Sequence, residues 1–219
     1  MRQTTYPVYE QLLFGCGLTM VAGALDAYAY LEHGAVFAGL QTGNLVLLGV
    51  SLGHFQLATV GRYLAALVAF VVGVLIVRVL QHLLERSRVS SQLVVLGYML
   101  GLLLIVFFLN DNLSSPIAVA LLSLVAAAEL QEFRQTKGVP LMITGNVREL
   151  FNALSTRDRN ARTKAWDAGA LLLSFIAGAM IVAAFTSFMA AYTLILPIGL
   201  VVALLVWLYR QTRRRRWKH

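Results

Sequence analysis

The sequence predicts an all-α polytopic membrane protein with six transmembrane helices and two re-entrant half-helices in an inverted 3+3 repeat. The first observation is composition, since 59% of the 219 residues are hydrophobic and 13% are charged, with a mean hydropathy of +0.75. Soluble domains average about 25% charged residues. The second is that the apolar residues form runs near the ~20 residues that cross a bilayer. The third is a Thr-Gly-Asn triplet that occurs once in each half of the chain.

Runs of apolar residues and the placement of Lys and Arg together define the spans. Six runs are long enough to cross: about 11–31, 59–83, 92–109, 117–134, 166–187 and 190–209. Two shorter runs, about 36–53 and 139–154, contain the triplets. If both shorter runs crossed fully, four cations would face outside: Arg86, Arg88, Arg134 and Lys137. Because cytoplasmic loops carry the excess of Lys and Arg, we predict that the shorter runs enter and return on one side. Both termini then lie in the cytoplasm.

The chain divides into two similar halves and a tail. Residues 1–109 and 110–209 each contain three spans and one short run, and 210–219 form a basic cytoplasmic tail. Thr42-Gly43-Asn44 matches Thr144-Gly145-Asn146, and FVVGVLIV (70–77) matches FIAGAMIV (175–182). Small residues at matching positions are typical of close helix packing in lipid: Ala65, Ala69 and Gly73, then Ala170, Ser174 and Gly178. Three crossings per half predict that the second half is inverted relative to the first.

Each triplet is interpreted as the turn into a half-helix whose amino end lies inside the membrane. Interrupted backbone is tolerated at that depth only where protein buries it or it lines a water-filled cavity. Two such ends would meet near the midplane and carry partial positive charge, as the discontinuous helices of transporters do. The predicted substrate-binding residues are Gln41, Thr42, Gly43, Asn44, Thr144, Gly145 and Asn146. The alternative is that the triplets only kink two packing helices.

Two acidic residues in the spans are candidates for proton or ion coupling. Asp26 lies in the first span among small and apolar residues, and Glu129 lies near the end of the fourth. Ionisable side chains inside a membrane are costly and indicate a pathway or a specific partner. For Asp26 the alternatives are a hydrogen bond to a neighbouring helix or a pair with an Arg. Glu132 is expected near the surface, paired with Arg134 or Lys137.

Several functional classes find no support in the residues. None of the four His has a second His or Cys at ligand spacing, and Cys16 is the single Cys, so we expect no metal site. No nucleophile–base pair or nucleotide motif is present, so we expect neither an enzyme nor a cofactor. The tail holds six of the positive charges and predicts an anchor on anionic lipid headgroups, with no nucleic-acid partner. The short chain offers little surface for a lined pathway, so a homodimer is expected, with Gly97 and Gly101 as a packing or subunit contact.

Three motifs carry a resemblance to a known family. They are Gly23-Ala24-Leu25-Asp26, then VFAGLQTGNLVLLG (36–49), and then the later Thr-Gly-Asn. With them the chain resembles the YoaK-like family of uncharacterised multi-pass bacterial membrane proteins. The resemblance covers nearly the whole chain and implies six spans in the inner membrane, but no substrate. The family often has a Gly-x-Gln-Asn element ahead of its second triplet, and here the text is AAELQEF (127–133).

Two functions remain open from the sequence. The first is a transporter or channel for a small polar or anionic solute, with proton coupling through Asp26 and a contribution from Glu129. The second is a scaffold or regulatory membrane protein in which the triplets serve helix packing. Transport predicts that polar triplet residues are needed for flux, whereas packing predicts that they are needed for stability.

Overall fold

The fold is built from α-helices joined by short connections. The computed structural model describes residues 7–85, 90–109, 112–136, 139–140, 143–154, 159–189 and 192–216. The helices in these ranges are α1 (Leu12–Glu32), α2 (Gln41–Gly53), α3 (Leu57–Leu84), α4 (Ser91–Leu109), α5 (Ser115–Glu132), α6 (Ile143–Leu154), α7 (Arg159–Met189) and α8 (Ile195–Arg216). A 3-10 turn at Val8–Glu10 precedes α1, and a two-stranded antiparallel hairpin, β1 (Gln135–Thr136) with β2 (Val139–Pro140), joins α5 to α6.

Six helices are long and apolar enough to span a membrane, which confirms the number predicted. They are α1, α3, α4 and α5 over their full lengths, residues 161–188 of α7 and residues 195–213 of α8. The outward side of α3 shows why these helices need lipid around them. Its large exposed hydrophobic side chains between residues 64 and 79 are Leu64, Val68, Val71, Val72, Leu75 and Val79.

Helices α2 and α6 are the two short runs that hold the triplets. They have 13 and 12 residues, which at 1.5 Å per residue gives about 20 Å and about 18 Å, well below the ~30 Å hydrocarbon core. Each helix begins one residue before its triplet, at Gln41 and at Ile143. The triplets therefore form the first helical turns. The chain reverses earlier, where Gly34 and Ala35 both have positive φ, 83° and 58°.

The helices of the two halves pack in the same pattern. The most extensive pairing joins α1 to α7, and the next joins α3 to α5. If α1 to α4 of the first half correspond to α5 to α8 of the second, the pairing α1·α7 corresponds to α5·α3. In the same way α2·α3 corresponds to α6·α7, and α1·α8 corresponds to α5·α4. All of these pairings are present. Helices α1 and α5 also touch each other, as do α4 and α8. Both halves therefore use equivalent surfaces.

Glycines allow the two principal pairings to approach closely. A Cβ added to Gly23 of α1 would meet the carbonyl oxygen of Phe175, and one added to Gly178 of α7 would meet that of Met20. On the other pair, a Cβ at Gly73 of α3 would lie 2.7 Å from the Cβ of Ala127. Gly73 and Gly178 are equivalent residues of the predicted small-residue pattern, and both lie at helix contacts.

The buried core gathers mainly around α1, α4, α5 and α8. Phe14 near the start of α1 is fully buried, with its ring centroid 5.7 Å from that of Phe133 and 5.7 Å from that of Trp207. These contacts place the end of α5 beside the start of α1. The end of α5 is therefore packed into the apolar core.

The glycine contacts predict a large difference between two alanine substitutions. Gly178→Ala forces a Cβ into the backbone of α1, so we expect the free energy of unfolding to fall by about 1–3 kcal/mol, the usual cost of overpacking. Gly199→Ala is the control, because no described atom lies within 4 Å of a Cβ added there and Ala favours a helix over Gly. Thermal unfolding in one detergent measures both. Equal stability of the two variants would contradict the packing.

Candidate functional site

Asp26 meets the connection between α1 and α2. Gly39 N donates to Asp26 Oδ1 at 2.7 Å and Leu40 N donates to the same oxygen at 3.4 Å. The side chain is buried, with Asp26 7% exposed. These amides come immediately before α2, where a helix leaves its first N–H groups without partners. Asp26 therefore stabilises the interrupted backbone of the connection, whereas the sequence alternatives were a neighbouring helix or an Arg.

The first triplet also binds the connection between α1 and α2. Asn44 is fully buried; its Oδ1 accepts from Phe37 N at 2.9 Å, and its Nδ2 donates to Phe37 O at 2.8 Å. Nδ2 also donates to Gln41 Oε1 at 3.1 Å, while Gln41 Nε2 donates to Ala38 O at 2.7 Å. The polar atoms of Asn44 and Gln41 are thus used within the chain. We call segment 37–40 the first clamp. Asp26 binds it on one side, and Asn44 binds it on the other.

The other two residues of the first triplet lie differently. Thr42 is exposed on the outer side of α2. A Cβ added to Gly43 would lie 3.0 Å from the ring of Phe37 and 3.2 Å from Leu40 Cδ2, so the clamp covers this glycine. Of the four residues predicted here, the structure brings Gln41, Gly43 and Asn44 together around the clamp and leaves Thr42 outside.

The second triplet has a different environment. Asn146 is fully buried in the first turn of α6, and neither Oδ1 nor Nδ2 has a hydrogen-bond partner among the residues that the structure describes. Gly145 is exposed, with no described atom within 4 Å of an added Cβ. Arg148 is exposed as well. The side chain of Thr144, also predicted to bind solute, lies outside the described part of the chain.

Glu129 is the second buried carboxyl group. It is 1% exposed in the last turn of α5, and its Oε2 has no hydrogen-bond partner within the described ranges. Its charge and that of Asp26 are near enough to interact. The buried side-chain atoms without partners in the described residues are His33 Nε2, Ser123 Oγ, Glu129 Oε2 and both amide atoms of Asn146. All but the first belong to the second half.

The beginning of the connection is fixed by α3. Arg62 Nη1 donates to His33 O and to Gly34 O, both at 3.5 Å. His33 follows α1 and is 6% exposed, and this burial lowers the pKa of its imidazole below the ordinary value. The ring is therefore neutral at pH 7. Arg62 thus supports the connection that leads to the first clamp.

Glu132 has partners that sequence reasoning missed. Gln81 Nε2 donates to Glu132 Oε2 at 2.7 Å, and Ser91 Oγ donates to Glu132 Oε1 at 2.5 Å. Glu132 is only half-buried, as expected, but these bonds tie the end of α3 and the start of α4 to the end of α5. The sequence held a signal for these hydrogen bonds, since Gln81, Ser91 and Glu132 are polar and each lies at the end of an apolar run. Their pairing depends on which helices are neighbours.

A groove runs along α1 and α7 beside the first clamp. Its volume is about 500 Å³, and Asp26 is the acidic residue among its otherwise mostly apolar lining. Phe37 and Leu40 of the clamp close one end, and Met180 of α7, 63% exposed, lies on the outer side. The carboxyl group of Asp26 thus borders a space that opens toward the surface of the bundle.

Metal-ligating side chains do not cluster in the described ranges. No group of three His, Cys, Asp or Glu in these residues could hold a metal ion. The candidate site is therefore defined by the clamp, by Glu129 and by the first turn of α6.

Comparison with known proteins agrees with this architecture. Residues 14–207 match the model of a family described as "Protein of unknown function (DUF1275)". The chain belongs to this family. It is also 28% identical over 147 residues to the UPF0700 transmembrane protein YoaK of Bacillus subtilis (strain 168), covering 64% of this chain and 65% of that protein. No solved structure matches the chain.

Membership in DUF1275 confirms the resemblance found in the motifs. The match includes both triplets, Asp26 and Glu129, so the candidate site lies within the family's common region. YoaK is a transmembrane protein by its name, in agreement with the six spanning helices. Neither comparison supplies a substrate.

In this DUF1275 protein, removing the Asp26 carboxyl group should destabilise the fold. Asp26→Ala leaves the amides of Gly39 and Leu40 without an acceptor, at about 1–3 kcal/mol for each buried group left unsatisfied. Asp26→Asn keeps an acceptor oxygen and should lose less. Unfolding in detergent compares the two variants. An Ala variant as stable as the Asn variant would show that the clamp does not depend on Asp26.

Proposed function

We propose that this protein is a membrane transporter or channel for a small polar solute, with no enzymatic activity of its own. The observation that carries the proposal is the pair of short helices, α2 and α6, which begin among buried polar side chains in a bundle of six spans. Buried at their starts are Asn44 and Asn146, and on the neighbouring helices Asp26 and Glu129. Polar groups at such depth are expensive and typically mark a pathway.

An inverted repeat with re-entrant half-helices is part of the proposal. Three spans per half would turn the second half over, and the equivalent packing of α1·α7 and α5·α3 supports a pseudo-two-fold relation. Helices α2 and α6 are too short to cross, so each would enter and return on one side. This is the arrangement in which transporters place solute sites near the midplane.

The solute is more plausibly neutral or cationic than anionic. Free amides at a helix start attract anions, but here the amides of Gly39 and Leu40 already bind the Asp26 carboxylate. Glu129 adds a second carboxyl group whose charge would repel an anion. Between the solute classes that the sequence left open, the geometry favours a polar solute that carries hydrogen-bond donors.

Proton coupling would use Asp26 and Glu129 as a pair. Two buried carboxylates that interact are costly to ionise together, so the pair is most stable when it holds one proton or one cation. Access to the pair from one side and then from the other would let a proton accompany the solute.

A scaffold or regulatory role is the second candidate, and one observation favours it. In the first half, Asn44 and Gln41 are fully engaged in hydrogen bonds within the chain. A triplet of this kind shapes the backbone and leaves few polar atoms free to bind a ligand. If the second triplet proved equally structural, packing would be the function of both.

The proposal includes a location and partners. The bacterial inner membrane with both termini cytoplasmic fits α8, which ends in exposed Arg210 and Arg213. These residues and the basic tail would lie on anionic lipid headgroups. Gly97 and Gly101 are exposed on α4, with no described atom within 4 Å of an added Cβ. That strip would serve as the contact of a homodimer.

Transport predicts solute-dependent proton movement in proteoliposomes. With a pH-sensitive dye inside, small neutral, cationic and anionic polar solutes are added in turn to the native protein. At least one neutral or cationic solute should change the internal pH, and Glu129→Gln should abolish this change. Failure of every solute to move protons or to enter the vesicles would favour the scaffold.

The proposed orientation predicts opposite accessibility of two positions. A cysteine placed at Gln211 near the end of α8 should react only after the membrane of spheroplasts is opened. A cysteine at Asn112, between α4 and α5, should react in intact spheroplasts, because that connection would lie outside. Cys16→Ser supplies the background without a native thiol. Labelling of Gln211→Cys in intact spheroplasts would show that the topology is the reverse of the one proposed.

A further inference from the structure

We infer that the two half-helices have different roles: α2 is a structural element, and the start of α6 with Glu129 forms the solute-binding site. The ligand is a small cationic or neutral molecule that presents hydrogen-bond donors, such as ammonium or hydroxyl groups. The inference rests on the proposed transport function and assigns its site to one half of the molecule.

The hydrogen bonds distinguish the two halves. Both Asn44 and Asn146 are 0% exposed at equivalent positions of their triplets. Asn44 makes bonds to Phe37 N, Phe37 O and Gln41 Oε1, whereas Asn146 has no partner among the described residues. A buried amide without a partner is rare in folded proteins, and a ligand or water is the usual reason for one. The second half therefore has unused binding capacity where the first has none.

The two acidic residues differ in the same way. Oδ1 of Asp26 accepts from Gly39 N and Leu40 N, whereas Oε2 of Glu129 has no partner in the described ranges despite 1% exposure. Release of a proton or ligand at Asp26 would disturb the first clamp. Exchange at Glu129 Oε2 breaks no hydrogen bond within the described structure.

The space around the triplet glycines also differs between the two halves. A Cβ at Gly43 would press on Phe37 and Leu40, at 3.0 Å and 3.2 Å, while a Cβ at Gly145 meets no described atom within 4 Å. A ligand can approach the start of α6 without displacing a described side chain. At the start of α2 the clamp occupies that space.

The outer surface of α6 carries an exposed charged side chain, Arg148, whereas α2 contains no charged residue. Residues exposed on α2 after its triplet include Leu45, Val46 and Val50, at 55%, 66% and 51%, a surface suited to lipid. Helix α6 exposes Gly145 and Arg148 beside Val147. An exposed Arg near the second triplet places that helix start within reach of an aqueous phase.

The free atoms define the chemistry of the ligand. A carboxylate oxygen at Glu129 accepts hydrogen bonds, and the Asn146 amide both donates and accepts. An ammonium or hydroxyl group suits the first, and a group that both donates and accepts hydrogen bonds suits the second. The carboxyl groups of Glu129 and Asp26 repel an anion and attract a cation, so positive charge is an advantage.

Thiol chemistry tests this assignment without knowledge of the natural solute. Cysteines replace Gly145 and, separately, Gly43 in a Cys16→Ser background. Each variant reacts in proteoliposomes with the cationic reagent methanethiosulfonate-ethyltrimethylammonium and with the anionic reagent methanethiosulfonate-ethylsulfonate. Rates are divided by those with a free thiol in solution. Gly145→Cys should react roughly tenfold faster than Gly43→Cys, about the factor that 1.4 kcal/mol of burial cost produces, and should prefer the cationic reagent.

Glu129→Gln provides the matched control for charge. With Gly145→Cys it should remove most of the preference for the cationic reagent, whereas Asp26→Asn should remove less. Asn44→Ala and Asn146→Ala add a measurement that does not depend on labelling. The first should lower the melting temperature clearly and the second much less, because Asn146 makes no hydrogen bond in the described structure.

Each outcome bears on a defined claim. Equal labelling of the two cysteines, or an unchanged charge preference in the Glu129 variant, overturns the assignment to α6. A larger loss of melting temperature in Asn146→Ala than in Asn44→Ala also overturns it. Absence of flux for all solutes, with the labelling as expected, rejects transport but leaves a ligand site at α6.

Discussion

The interrupted backbone before α2 is the constraint on which the rest of the structure depends. A backbone N–H or C=O group that is buried without a partner costs free energy comparable to a lost hydrogen bond, so a chain that turns away from water needs acceptors and donors supplied from elsewhere. Asp26 accepts two amides from α1, and Asn44 satisfies both backbone groups of Phe37 from α2. A charged and a neutral side chain thus replace the water that a surface loop would use.

This arrangement works only if α1 stays fixed relative to its neighbours. Between helices in lipid there is little hydrophobic driving force, so stability comes from close packing and from hydrogen bonds. Gly23 and Gly178 bring the backbones of α1 and α7 into contact, and Gly73 does the same for α3 against Ala127 of α5. The glycine contacts therefore do more than hold the bundle together, because they set the position from which Asp26 reaches the clamp.

Much of the fold could be predicted because its sequence signals are local and do not depend on which helices are neighbours. Run lengths and positive charges identified six spans and two short helices, and the small-residue pattern located Gly73 and Gly178 at contacts. The partners of Asp26 and Glu132 could not be predicted, because Gly39, Gln81 and Ser91 have no signature until neighbouring helices are known. The exposure of Thr42 was missed for a related reason: the helix begins at Gln41, one residue earlier than the triplet pattern indicates, which turns Thr42 outward.

A repeat whose halves pack alike need not use its equivalent residues alike. Asp26 lies three residues after Gly23, and Glu129 lies three residues after Ala126, so the acids occupy similar places on α1 and α5. The shorter acid is held by the backbone of the connection, and the longer one has a free oxygen. The proposed transport function would need both kinds of group, since a frame that released its own hydrogen bonds at every cycle would repeatedly lose the stability they supply. Dividing the tasks between the halves would let Glu129 exchange protons or ligands while Asp26 keeps the first clamp closed.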